Sequence, residues 1–198
     1  MIEPNKLFKG LTVTINTNED CNLRCAYCYE INKKHKVINL EDAYKFIDYI
    51  LEDQDPIGVK GTKDEWILKD GLILDFIGGD SLMHPEIIDK VLSYFEYKAM
   101  SISHRWSTSW RASISTNGTL FGNQEVQNLI DKWSHNLSLS VSIDGCKAIH
   151  DKYRVDNSGK GTMDTIRQWW PWLKEHAPDA VTHTKATCSK ESIPYLFE

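Results

Sequence analysis

Cys21-Asn22-Leu23-Arg24-Cys25-Ala26-Tyr27-Cys28 decides how this chain is read. The cysteines stand four and three residues apart, shortly after the alternating run Leu11-Thr12-Val13-Thr14-Ile15. Eight residues are enough for a backbone to curl around one inorganic centre and present three thiolates to it. Core thiols have no reason to crowd a short polar turn. An iron–sulfur cube held by four cysteines is coordinatively full and suited to electron transfer. A cube held by three leaves one iron open, and an open metal position is where a substrate or cofactor binds. Zinc, with His35 as a fourth ligand, is the alternative metal for the same residues. A disulfide fits less well. The chain has 5 Cys, an odd number, and its first ten residues lack the apolar core of a secretory signal, so a reducing, cytoplasmic setting is expected.

On either side of this loop, strand and helix patterns alternate. Strands are expected over residues 11–16, 72–77, 112–115, 137–143 and 181–188. The second, Leu72-Ile73-Leu74-Asp75-Phe76-Ile77, is nearly all apolar, as a parallel strand covered on both faces would be. Helical faces are carried by Ala43, Ile47, Ile50 and Leu51, then by Ile88, Val91, Leu92 and Phe95. Val126, Leu129, Ile130 and Trp133 make a third face, and Met163, Ile166, Trp170 and Leu173 a fourth. Asn39 and Thr162 read as N-caps, Pro85 as a first helical residue and Pro171 as a kink. Residues 53–70 and 98–110 read as loops, and residues 192–198 as the start of a fifth helix. Strand–helix alternation with short returns implies parallel βαβ units, whose active sites form at the carboxyl ends of the strands. The expected class is therefore α/β, an open partial (β/α) barrel of parallel strands, with residues 1–198 as one domain.

Composition narrows the possible functions. A hydrophobic content of 41% and a charged content of 26% suit a globular domain. The net charge of −5 argues against a general nucleic-acid binder. No run approaches the ~18 apolar residues of a membrane span. The basic-aromatic stretch from His104 to Arg111 reads as a loop packed on the domain. Of Trp169, Trp170 and Trp172, which bracket Pro171, at least one is expected to face outward. Cys146 and Cys188 lack paired neighbours and read as incidental thiols.

Cys21, Cys25 and Cys28, with the aromatic Tyr27 before the third, match the CxxxCxxC signature of the radical S-adenosylmethionine (SAM) enzymes. Further segments resemble that family in order along the chain. Gly78-Gly79-Asp80 resembles the Gly-Gly-Glu motif that binds the SAM amino group, with Asp80 for Glu and Ser81 where Pro often follows. Ser115-Thr116-Asn117-Gly118 and Ser142-Ile143-Asp144-Gly145 resemble the loops after strands three and four. By that resemblance Ser142 stands where a serine helps hold the SAM carboxylate, and Asn117 and Gly118 would form the strand-end turn beside the cofactor. His150-Asp151-Lys152-Tyr153-Arg154 followed by Gly159-Lys160-Gly161-Thr162 is similar to a segment of the SPASM-type peptide and protein maturases, best known from anaerobic sulfatase maturation. There Arg154 would offer a fork to a carboxylate, or else form a surface salt bridge. The resemblance implies a [4Fe-4S] cluster on the three cysteines and SAM on its open iron. It implies reductive cleavage of SAM to a 5′-deoxyadenosyl radical, a one-electron reductant as partner, and a peptide or protein substrate. Since such enzymes use six β/α units and continue into a C-terminal domain, a missing C-terminal half or a partner chain is also expected. A cluster-bearing module that binds a peptide without turnover, and a zinc-stabilised domain, are the alternatives.

Overall fold

In a computed structural model, residues 10–30, 32–52 and 71–195 are described. The loop expected over residues 53–70 lies outside them, as do residues 1–9 and 196–198.

Five parallel strands form one sheet in the order β1-β2-β3-β4-β5. They span Gly10–Asn18, Gly71–Gly78, Trp110–Thr116, Leu137–Ser142 and Val181–Lys185. Sequential order with parallel pairing is the topology of a (β/α) barrel left open, as the alternation of elements implied. The helices are α1 (Leu40–Leu51), α2 (Pro85–Ser101), α3 (Gln124–Trp133), α4 (Lys147–Tyr153) and α5 (Met163–His176).

The local signals explain most helix starts. The Asn39 side chain accepts from Glu41 N, and Pro85 opens α2 where its missing N–H costs nothing. Thr162 is a correction. It occupies the N-cap position of α5, but its hydroxyl donates to Arg154 O instead. The cap comes from Asp151, whose Oδ1 accepts from Met163 N at 2.8 Å. The loop expected from residue 98 is also shorter than read. Helix α2 runs to Ser101, and a short 3₁₀ turn, Arg105–Ser107, buries Trp106 completely. Helix α4 was not legible, because its buried side include His150 rather than an apolar stripe. Helix α5 continues through Pro171, and Trp169, Trp170 and Trp172 are all half-buried against the core, so none is fully outward. The expected fifth helix is a 3₁₀ turn at Ile193–Tyr195.

The core lies on one side of the sheet. Val13, Ile15, Leu72, Leu74, Phe76, Ala112, Ile114, Leu139 and Val141 face Ile47, Ile88, Leu92, Ile130 and Ile166 of the helices. The alternate residues Thr12, Thr14, Asn16, Asp75, Ser113, Ser115 and Ser142 are half-buried or exposed on the concave face. Strand β2 is therefore covered on one face, not on both as its apolar run suggested. Among the described residues no helix is long and apolar enough to cross a membrane.

Candidate cofactor site

At the carboxyl ends of the strands the chain builds a cleft of about 490 Å³. Cys21, Cys25 and Cys28 line it together with Tyr27, Gly78, Gly79, Asp80, Asn117, Ser142 and Arg154. The residues that the sequence singled out for the cluster and its cofactor are thus brought to one place, while His35 lies outside this lining. Cys146 and Cys188 are not part of this lining.

The cysteine loop is docked rather than free. Leu23 is buried as a plug, Arg24 N donates to Val155 O at 2.7 Å, and Ala26 N donates to Tyr153 O at 2.9 Å. Cys21 Sγ accepts from Leu23 N at 3.4 Å and from Asn117 Nδ2 at 3.8 Å. Such N–H donors favour thiolate sulfur. Burial nevertheless pushes the Cys21 and Cys25 thiols up from their ordinary values, with Arg154 opposing it at Cys25. A metal held here must displace those protons. A donor set of three thiols on one cleft fits an iron–sulfur cube with one open corner. His35, the fourth ligand that zinc would take, lines an outer chamber with the three cysteines. His35 Nδ1 is paired with Asp20, and among the described residues no three His, Cys, Asp or Glu side chains converge as a single ion requires. A cube spaces its thiolates further apart than one ion does.

Gly78 and Gly79 are explained by backbone contact. Gly79 N donates to Asn18 O at 3.0 Å and Asp80 N to Asp20 O at 2.6 Å, so the ends of β1 and β2 are zipped together. A Cβ on Gly78 would lie 2.5 Å from Asn18 O, and one on Gly79 would overlap Asp20 O. Asp80 lines the cleft, but its carboxylate points into the protein. It accepts from Leu82 N (2.9 Å), Thr116 Oγ1 (3.0 Å) and Asn117 N (2.6 Å). Burial pushes its carboxyl up, against the pull of those donors. Asp80 therefore ties β2 to β3 through Thr116 and Asn117, while residues 78–80 line the cleft. Asn117 continues the tie, donating to Asn22 Oδ1 at 2.9 Å in the cysteine loop. Gly118, at φ +79°, takes the left-handed turn that follows. Ser81, next to Asp80 in the chain, is fully buried, and its hydroxyl has no hydrogen-bond partner among the described residues.

The fork of Arg154 meets a carboxylate of its own chain, not a ligand's and not one at the surface. Nε donates to Asp144 Oδ2 at 2.8 Å and Nη2 to Oδ1 at 3.2 Å, both residues being buried. Asp144 also accepts from the Tyr27 hydroxyl and from Thr187 N at 2.9 Å. Burial alone would raise the Asp144 carboxyl, but these donors outweigh it and hold it below the ordinary range. Burial and the Asp144 bond push the Tyr27 phenol upward, so Tyr27 stays a neutral donor. The Arg154 guanidinium lies 5.4 Å from the Tyr27 ring centroid. Behind it, His150 Nδ1 accepts from Asp144 N at 3.4 Å, which leaves Nε2 as donor to Thr162 Oγ1 at 3.0 Å, and Thr162 passes the chain on to Arg154 O. The His-Asp…Arg…Gly…Thr segment is a latch that holds the third side of the cysteine loop. Sequence reading missed Asp144, which looked like an ordinary Asp-Gly turn, and Lys33, which no spacing marks.

A parallel partial barrel whose CxxxCxxC loop follows its first strand agrees with the fold that the resemblance to radical SAM enzymes implied. No family model matches the chain. A serine-type anaerobic sulfatase-maturating enzyme of Bacteroides thetaiotaomicron is 31% identical over 171 residues, covering 79% of this chain and 34% of that enzyme. An uncharacterized protein of Methanocaldococcus jannaschii is 28% identical over 181 residues, covering 90% of this chain and 53% of that protein. The structure of native anSMEcpe with bound AdoMet and Cp18Cys peptide superposes with a TM-score of 0.71 at 18% identity, over 95% of this chain and 46% of that one. The chain is thus similar to the anaerobic sulfatase-maturating enzymes, the relatives that the sequence motifs implied. The chain spans about half or less of the length of these relatives.

Proposed function

We propose that this chain is the cofactor-binding core of a radical SAM enzyme that modifies a peptide or protein. The carrying observation is the convergence of Cys21, Cys25 and Cys28 with Gly78, Gly79, Asn117 and Ser142 on one cleft at the strand ends. The three thiolates would hold a [4Fe-4S] cluster. When bound, it supplies an electron to the sulfonium of SAM, with an external one-electron reductant as the source. The protein's own work is positional. The backbone of residues 78–80 offers carbonyls to an ammonium, and Ser142 offers a hydroxyl to a carboxylate. Asp80 and Asn117 keep the cysteine loop in register with β2 and β3, and Tyr27, tethered to Asp144, closes one wall. The substrate class rests on kinship with enzymes that mature sulfatases and on a structural neighbour that holds a peptide.

Anaerobic reconstitution tests the reading. The wild-type protein is expected to take up a cluster absorbing broadly near about 400 nm. With SAM and dithionite it is expected to release 5′-deoxyadenosine. Cys25→Ala should abolish both, since two thiolates cannot hold three corners. Cleavage that survives Cys25→Ala would remove this ligand assignment.

A further inference from the structure

Two chambers meet at the cysteines. The inner one is the cleft at the strand ends; the outer, about 510 Å³, is bounded by Arg24, Glu30, Asn32, His35 and Asn157. Four residues line both: Cys21, Cys25, Cys28 and Lys33. Lys33 alone of the four is not a thiol. Its half-buried ammonium donates to the carbonyl oxygen of Leu23 and, at 3.5 Å, to that of Cys21, both inside the cysteine loop. Its charge acts on Cys21, Cys25 and Asp80, yet among the described residues it makes no ion pair. An ammonium is strongly hydrated, and withdrawing it from water without an anion is unfavourable. The position makes sense once a negative charge lies between the two chambers.

We propose that Lys33 is the built-in counter-charge of the iron–sulfur group held by Cys21, Cys25 and Cys28. This inference rests on the cluster assignment above. Two carbonyls of the cysteine loop hold the ammonium where the two chambers meet. A cube on three thiolates is anionic, and reduction adds one more negative charge. A fixed cation beside it stabilises the reduced form more than the oxidised one, so the potential rises. Lys33 is thus a positioning residue that also tunes electron entry. The electron itself comes from the external reductant, dithionite in the assay.

The test compares wild type, Lys33→Gln and Lys33→Arg after anaerobic reconstitution, without SAM. Iron and sulfide per chain are measured first, then the midpoint potential by a redox titration followed by electron paramagnetic resonance. Gln keeps a donor for the loop carbonyls but loses the charge. It is expected to hold its iron and become about tenfold harder to reduce, a shift of about 59 mV to more negative potential for one electron. Lys33→Arg should titrate with wild type. Loss of iron from the Gln variant alone also supports a charge role. A Gln variant that titrates with wild type, or loss of iron from both variants, overturns the proposal. Wild-type protein that takes up no iron would sink the cluster assignment itself, and this inference with it.

Discussion

Asp144 is the residue on which the cleft's lower wall depends. One buried carboxylate receives the Arg154 fork, the Tyr27 hydroxyl and the Thr187 amide. It thereby joins the end of β4 to the cysteine loop, to the segment after α4 and to the segment after β5. Removing one member leaves an uncompensated buried charge, which costs about 3–5 kcal/mol, whereas replacing both members by apolar groups is far milder. Arg154→Met is therefore expected to lower stability in urea by about that amount, and Asp144→Leu/Arg154→Met to recover much of it. Equal losses in the single and double variants would show that the pair is not acting as a unit. His150 gives the same wall a pH signature. Burial, then the neighbouring Arg154, hold its imidazole below the ordinary value of about 6.5. As pH falls through about 6.5 the unfolded chain gains a proton that the folded chain resists, so stability is complete above that pH and declines below it. Asp144, also depressed, adds a later loss, as pH falls from about 3.9 through its lower folded value. Thermal unfolding followed from about pH 7 to about pH 5 should show the first decline in wild type and a flatter slope in His150→Gln. An unchanged slope would place the titration elsewhere.

Among the elements, the junction of β1 with β2 sets the geometry of the cleft. The two strand ends approach so closely that carbonyls of residues 18 and 20 accept from amides of residues 79 and 80. Gly79→Ala would drive a methyl into the Asp20 carbonyl, and neither backbone can yield without moving Cys21. Overpacking of this kind costs about 1–3 kcal/mol. The variant is expected to lose that much in urea unfolding and to retain less iron after reconstitution; wild-type iron content would show that the loop tolerates the shift. The two glycines were legible as a motif, but their physical cause was not, because the contact joins segments 60 residues apart. The same limit explains Thr162. A threonine before an amphipathic run reads as a cap, yet Asp151, twelve residues before Met163, reaches its amide because the turn at residues 155–161 folds back on α4. Local signals sufficed where the partner is local, as at Asn39 and Pro85. They failed wherever a side chain answered to a distant element, as Asp80, Asp144 and Arg154 all do.

Taken whole, the molecule is a sheet with one dry face and one wet face. The alternation was visible in β1, where Thr12, Thr14 and Asn16 interleave with Val13 and Ile15, and in β3, where Ser113 and Ser115 flank Ile114. It was hidden in β2 because Ile73 and Ile77 occupy the concave face, next to the cleft, where apolar side chains remain half-buried. A barrel lumen packed with branched residues would stabilise through both faces; here the concave face is mostly polar and available to ligand, and most of the stabilising burial falls on the convex face. That asymmetry can be measured on two adjacent residues of one strand. Ile114 is fully buried beneath the helices, and truncating such a side chain costs about 2–5 kcal/mol. Ser113 is half-buried on the concave face, and Ser113→Ala should stay within about 0.5 kcal/mol of wild type. In matched urea titrations the midpoint should fall sharply for Ile114→Ala, with Ser113→Ala close to wild type and all three proteins sharing one slope. Comparable losses at the two positions would mean that the concave face carries packing of its own, and that the cleft is not open to ligand along the strands.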